Sequence, residues 1–335
     1  MDRYSRQARV PGVGAAGIDK LRTSCVLVVG CGALGTHLAD ALTRAGVGTL
    51  HLVDRDIVEW SNLQRQVLFD ERDAELGLPK AIAARDRLRA VNRDVRIEGH
   101  VADCSVRFLD DLPQRPDLVL DGTDNFPTRY LINDWCREHR LPWIYAGAVG
   151  TEGASMVVTP DGACLRCLWP EPPAQADVGN CETSGILAPA IASVTAFQAA
   201  EALKLLLGEP PTRGVYTCDV WRGSYQVLPV ADRAAPDCVV CAHGERPALR
   251  GDAVEAVSLC GRNAVQVQPP DAAPIDLDAL AGKLGGVVEQ LVRTPHLLRF
   301  ACDGVRFTVF PGGRALLFGV TDPLRARALY DRWLR

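Results

Sequence analysis

The chain has 335 residues, enough for roughly two domains, and its 47% hydrophobic and 23% charged residues are ordinary globular values. A formal net charge of −4 carries no basic excess, which argues against a general nucleic-acid binder but leaves room for a local basic pocket around a polyphosphate. The polar start, with Arg3, Arg6 and Arg9, lacks the apolar stretch of a signal peptide, and no run reads as long enough to cross a membrane. The expectation is a cytoplasmic chain with no membrane association, whose 12 cysteines are reduced thiols, metal ligands or catalytic groups rather than disulfides.

Residues 25–30 form a short Val-rich run, the pattern of a parallel-sheet strand buried on both faces. A Gly-rich turn follows, then a helical pattern over 34–45 that Gly46 stops. Residues 49–53 read as the next strand, ending at Asp54 and completing a βαβ unit. A helix is expected over 79–91, with Ala and Leu on one face and Arg on the other. A strand over 117–120 enters the turn 121–125, and a helix over 128–139 and a strand over 143–146 follow. Residues 188–207 are apolar around much of a helix, which suits a core helix or a subunit interface.

The composition breaks near 242–252, where a linker is placed. Beyond it a strand is expected over 264–268 and a helix over 277–284. Strands follow near 287–292, 296–301, 305–310 and 314–319, with a turn at 310–314, and Pro323 opens a last helix to Leu334. The expected fold class is α/β: a Rossmann-like, mostly parallel sheet over 1–246 followed by a small C-terminal α+β domain over 253–335.

Gly30, Gly32 and Gly35 form a G-x-G-x-x-G turn between a strand and a helix. Such glycines let backbone approach a phosphate, and the helix N-terminus attracts its charge. Asp54 is placed to accept from ribose hydroxyls. This fingerprint alone serves NAD as well as ATP, so an NAD-dependent oxidoreductase is the rival reading. Downstream, Arg65 and Lys80 can neutralise a triphosphate, and Asp124 can hold Mg²⁺ among its oxygens. The rival reading leaves those residues without a role. The two C-x-x-C pairs, Cys164 with Cys167 and Cys238 with Cys241, suit a tetrahedral structural Zn²⁺ site that pins the end of the first domain onto its body. Cys25, Cys31, Cys104, Cys136, Cys218, Cys260 and Cys302 have no paired spacing and are expected to pack as small apolar side chains.

The set Arg3-Tyr4-Ser5-Arg6-Gln7, Gly30 to Gly35, Ser61-Asn62-Leu63-Gln64-Arg65-Gln66, Pro79-Lys80 and Thr123-Asp124-Asn125 resembles the ThiF/MoeB/HesA family, from about residue 3 to about residue 241. These are bacterial relatives of ubiquitin-activating enzymes. The resemblance implies an ATP-dependent adenylyltransferase acting on the C-terminal Gly-Gly carboxylate of a β-grasp sulfur carrier such as ThiS or MoaD, in thiamine or molybdopterin biosynthesis. It gives Asp54 the ribose, gives Asn62, Arg65 and Lys80 the phosphates, and gives Asp124 the Mg²⁺, with Asn125 beside it. Arg6 would reach the triphosphate from the partner subunit of a homodimer. Cys181, on a Gly-flanked segment, would bond covalently to the activated carrier during sulfur transfer, with a sulfur donor such as a cysteine desulfurase. The C-terminal domain departs from the minimal family pattern and is too short for a rhodanese domain. A catalytically idle scaffold that binds a ubiquitin-like protein is the other alternative, and the complete residue set weighs against it.

Overall fold

The structure, a computed structural model, describes residues 3–172, 184–230, 234–250, 256–259, 263–269 and 273–335. The chain divides into two compact units, residues 1–250 and 251–335.

The first unit is built on an eight-stranded sheet. Its strands are β1 (Cys25–Val29), β2 (Thr49–Val53), β3 (Arg96–His100), β4 (Leu118–Asp121), β5 (Trp143–Val149), β6 (Glu152–Val158), β7 (Val215–Asp219) and β8 (Ser224–Leu228). Their order is β3-β2-β1-β4-β5-β6-β7-β8. The pairings from β3 to β5 are parallel, and those from β5 to β8 are antiparallel. The helices are α1 (Gly14–Thr23), α2 (Ala33–Ala45), α3 (Glu71–Leu76), α4 (Lys80–Val91), α5 (Val106–Asp110), α6 (Phe126–Glu138), α7 (Leu165–Leu168) and α8 (Ala188–Leu207).

Every residue of β1 is buried, because the strand is covered on both faces. Val26 and Val28 join Leu38, Leu42, Leu88 and Ala202 in one core. Leu27 and Val29 join Ile132, Trp135, Trp143 and Leu165 in the other. The winding reverses between β1 and β4: β2 and β3 lie to one side of β1, β4 and β5 to the other. At such a switch point the loops leaving neighbouring strands part, and the crevice lies at their C-terminal ends.

By length and composition alone α8 could cross a membrane, which corrects the expectation that no run is long enough. It lies against β5, β6 and α2. Its buried Gln198 donates to the carbonyls of Asp121 and Ile144, both at 3.0 Å. This is a core helix, one of the two roles expected of it.

The second unit is a six-stranded antiparallel sheet of order β11-β12-β13-β14-β10-β9. Its strands are β9 (Ala256–Leu259), β10 (Ala264–Val267), β11 (Glu289–Thr294), β12 (Leu297–Cys302), β13 (Val305–Val309) and β14 (Ala315–Phe318). One face packs on α9 (Leu277–Leu284) and α10 (Pro323–Leu334) through Val265, Phe300, Phe307, Leu317, Leu280 and Tyr330. The turn expected at 310–314 is present, with Gly313 at φ 82°. The six strands here are one more than the pattern suggests, since β9 carries no period of its own.

Candidate nucleotide site and cysteine cluster

Three glycines set the geometry of the crevice. Gly30 follows β1 at φ 90° and donates its N–H to the Val53 carbonyl at 2.8 Å. A Cβ there would stand 2.6 Å from the Gly122 carbonyl oxygen, which belongs to the loop after β4. A Cβ on Gly35, in the first turn of α2, would stand 1.8 Å from the Gly30 oxygen. One on Gly122 would stand 2.6 Å from that same oxygen and 2.9 Å from the Gly35 Cα. Protein packing therefore fixes all three as glycine. Gly32 differs. A Cβ there would meet nothing nearer than Gln66 Nε2 and the Gly122 oxygen, each at 3.9 Å. The protein does not itself require glycine at this position, but a ligand lying close to the backbone would. Gly32 is also the N-cap of α2 and supplies no side-chain cap, so the first-turn amides remain open to an anion.

Asp54 follows β2, and its carboxylate braces the loop. Oδ2 accepts from the Cys31 N–H and Oδ1 from the Asp56 N–H, both at 2.7 Å. Burial pushes this carboxyl up from its usual range, against the pull of the Lys80 cation. Lys80 opens α4 and is buried, with Nζ 3.7 Å from Asp56 Oδ2. Cys31, expected only to fill space, thus also lends its backbone to the brace.

Arg65 donates to the Ser61 carbonyl at 2.8 Å. Asn62 is buried, and its Oδ1 accepts from the Glu59 N–H at 3.1 Å. Asn125 caps α6, accepting from the Thr128 N–H at 3.0 Å. For both asparagines the side-chain oxygen already accepts from backbone, and the Nδ2 groups lie 3.4 Å from Ser61 Oγ and Asp124 Oδ1 respectively. Asp124 is exposed at the tip of the β4 turn, 3.4 Å from Asn125 Nδ2.

Beneath Asp124 lies a network that motif reading missed. Asp121 is fully buried and accepts from Thr123 N–H at 2.8 Å, Thr123 Oγ1 at 2.6 Å and Arg129 Nε at 3.0 Å. Arg129 also donates to the carbonyls of Thr123 and Ala146, both at 2.9 Å. Its guanidinium lies over the rings of Phe126 and Tyr145. The spacing from Asp121 to Arg129, across the 122–125 turn and the first turn of α6, offered no sequence signal for this pairing.

Arg6 is not brought to this crevice. Its segment is anchored by buried Tyr4, whose hydroxyl accepts from Asn92 Nδ2 at 2.8 Å, and by Gln7, whose Nε2 donates to the Ala45 carbonyl at 3.0 Å. Ala45 ends α2, and the loop begins that helix. Thirteen helical residues span about 20 Å. Cys181 and Cys260 lie outside the described residues.

On the other face of the sheet the four C-x-x-C thiols meet. Their sulfurs all lie within 4.8 Å of one another. Cys164 Sγ is 3.7 Å from Cys238 Sγ and 3.9 Å from Cys167 Sγ, and Cys167 Sγ is 3.8 Å from Cys241 Sγ. A tetrahedron with Zn–S of about 2.3 Å has edges of about 3.8 Å, so the spacing fits zinc. Hydrogen bonding among the thiols pushes Cys164 up and holds Cys167 down. Four thiolates packed this closely need a cation to offset their repulsion. Arg137 donates to Cys241 Sγ at 2.8 Å from outside the cluster. Of the remaining cysteines, Cys25, Cys31, Cys136 and Cys218 are buried, and Cys104 and Cys302 are half-buried. Burial pushes Cys25 and Cys302 up to about 11 and Cys104 up to about 12, which keeps them as unreactive thiols.

The fold and crevice define a nucleotide-binding α/β enzyme. Residues 4–240 match the ThiF family, and the chain belongs to that family. The "Sulfur carrier protein ThiS adenylyltransferase" of Bacillus subtilis (strain 168) is 37% identical over 334 residues, covering 99% of each chain. The protein of the same name from Escherichia coli (strain K12) is 41% identical over 242 residues, 71% of this chain and 94% of its own. Among solved structures, E. coli MccB with ATP shares the fold, with a TM-score of 0.61 at 24% identity over 72% of this chain and 73% of that one. The chain is an ATP-dependent adenylyltransferase.

Three outcomes are expected. Gly32→Ala should melt within about 1 kcal/mol of wild type yet bind ATP at least about tenfold more weakly, whereas Gly35→Ala should cost more than about 3 kcal/mol. Equal damage to folding from both, read by denaturant unfolding and ATP titration, would contradict this division of roles. Arg129→Met leaves the Asp121 carboxylate buried and uncompensated and should cost about 3–5 kcal/mol in the same unfolding assay. Cys238→Ala should lower zinc content, measured by atomic emission, from one ion per chain toward none. It should also lower the melting temperature by roughly 10 °C. A metal-free wild type of unchanged stability would exclude a structural zinc.

Proposed function

We propose that the chain activates the C-terminal carboxylate of a small β-grasp sulfur-carrier protein ending in Gly-Gly, forming an acyl-adenylate for later conversion to a thiocarboxylate. The observation that carries the reading is the glycine without a packing reason, Gly32, at the head of an uncapped helix. The names of the full-length relatives support a carrier of the ThiS type.

The chemistry asks little of a base. The carrier carboxylate is ionised at neutral pH. One of its oxygens attacks the α-phosphorus of ATP, a new P–O bond forms, and the bond to pyrophosphate breaks. The obstacle is bringing an anion to a polyanion, so fixed positive charge must be aimed at the phosphates. The amides at the start of α2 receive one phosphate, and Arg65 and Lys80 offset charge on the others. Asp54 retains acceptor capacity for the ribose hydroxyls. Asp124 is the carboxylate for Mg²⁺, an ion that keeps most of its waters and needs few protein ligands. When bound, Mg²⁺ would neutralise charge developing on the pyrophosphate.

Arg6 completes this set from the other subunit of a homodimer. The length of α2 supports that reading, since it separates Arg6 from the loop of its own chain. The cysteine cluster holds a structural Zn²⁺, on the support of its sulfur spacing. Cys181 is the thiol that would bond to the activated carrier, a sulfur donor such as a cysteine desulfurase would supply the sulfur, and the compartment would be the cytoplasm.

With a purified ThiS-type carrier ending in Gly-Gly, the chain should catalyse carrier-dependent ATP–pyrophosphate exchange. Asp124→Ala should lower that exchange on the order of 100-fold. ATP binding with no exchange on any Gly-Gly carrier, or exchange that ignores the carrier, would overturn the assignment.

A further inference from the structure

Tyr145 lies in β5 and is only 6% exposed. The Arg129 guanidinium lies over its ring, 5.2 Å from the centroid, and the Trp169 ring stands 5.6 Å away. The phenol runs toward the end of the strand, with Oη 3.0 Å from where a Cβ on Gly147 would stand. There β5 leaves the core, and residues 147–149 are half-buried. Burial pushes this phenol up from its ordinary range, against the pull of the Arg129 cation. At neutral pH it is therefore a hydroxyl with a proton to donate.

Buried tyrosines usually give their hydroxyl a hydrogen-bond partner. This one has none among the described residues, yet it is not one of the polar atoms sealed from solvent. It therefore opens on a space that a second molecule can enter. Gly147 keeps that space open. Its φ is not positive, so its backbone has no need of glycine. A Cβ there would meet Tyr145 Oη at 3.0 Å and Arg129 Nη2 at 3.5 Å, with no backbone atom as near. A methyl group at this position would cover the hydroxyl and little else.

The place of Tyr145 in the sheet says what enters. In the order β2-β1-β4-β5, Asp54 follows the first strand, the glycine loop the second and Asp124 the third, and Tyr145 lies in the fourth. Arg65 and Lys80, the cations for the outgoing pyrophosphate, both belong to the segment after β2, Lys80 beside Asp56. Displacement at phosphorus brings the attacking and leaving oxygens roughly into line. Pyrophosphate drawn toward the β2 side is attacked from the β4–β5 side. On that side Arg129, stacked on Tyr145, donates to the carbonyl of Thr123, the residue before Asp124. Two strand spacings, about 10 Å, separate β5 from β1. A donor at that distance falls short of the reacting carboxylate and suits a carbonyl two or three extended residues behind it. We propose that Tyr145 is a specificity-determining residue for the carrier, its hydroxyl donating to a backbone carbonyl in the C-terminal tail and so holding the terminal carboxylate opposite the departing pyrophosphate. This assignment rests on the carrier reading above.

Tyr145→Phe removes the hydroxyl and keeps the ring against Arg129 and Trp169. The full chain is compared with wild type by thermal unfolding, by ATP titration and by carrier-dependent exchange at saturating ATP. Tyr145→Phe should melt at the wild-type temperature or above and keep its ATP affinity. Its kcat/KM for a Gly-Gly carrier should fall about 3- to 10-fold, chiefly through KM. Gly147→Ala, which sets a methyl group against the hydroxyl, should do the same. The two changes together should cost no more than the larger alone, because both remove one contact. Wild-type carrier kinetics in Tyr145→Phe, beside an active wild type, would overturn this assignment alone. So would an ATP affinity that falls as far as kcat/KM, or a loss of activity that merely follows a lower melting temperature. If wild type binds ATP but exchanges with no Gly-Gly carrier, the carrier reading fails and this assignment falls with it.

Discussion

Three backbone segments meet at Gly30, Gly35 and Gly122, and the contact leaves no room for a side chain on any of them. It brings the end of β1, the start of α2 and the turn after β4 within van der Waals distance. The helix dipole and its open amides consequently point into the crevice at the switch of the sheet. Asp54 then ties the loop to β2 through the Cys31 amide, and the Asp121–Arg129 pair ties the Asp124 turn to β5 through the Ala146 carbonyl. The polar groups that shape the crevice are thus mostly fixed before any nucleotide arrives, which is what electrostatic stabilisation of a charged transition state requires.

The positive charge is not free of the protein's own acids. Lys80 sits beside Asp56 and acts on Asp54, and Arg129 is fully engaged by Asp121. Such pairing holds the cations in place at the cost of some of their strength. Arg65, by contrast, meets a backbone carbonyl rather than an acid. The cysteine cluster serves a different end. It joins residues 164–167 to residues 238–241 on the face away from α2, and Arg137 braces one corner.

Most of the parallel half of the sheet was legible because buried strands and covered helices leave strong patterns. The runs of β1 and β2, the glycine after α2 and the full span of α8 appear in the sequence as they stand in the structure. β3, β6, β7 and β8 were not legible. β3 contains one fully buried apolar residue, Ile97, between Arg96 and Glu98. β8 is exposed along its whole length, so no alternation marks it. Within the site, the glycines, Asp54 and Lys80 announced themselves by spacing, as did the four clustered cysteines. The bonding of Asn62 and Asn125 to backbone did not, because a cap and a ligand contact ask for the same residue type. Asp121 with Arg129, and the unmet hydroxyl of Tyr145, became visible only when distant segments were brought together.

The account stands on the carboxylate of a carrier being the group that attacks ATP. A carrier whose terminal carboxylate is labelled with ¹⁸O tests this directly, with the adenylate cleaved afterwards by an added thiol and the released AMP weighed by mass spectrometry. Attack by the carboxylate leaves its oxygen bridging carbon and phosphorus, so cleavage at carbon predicts one labelled oxygen in AMP. Unlabelled AMP, with both labelled oxygens still on the carrier, would contradict it.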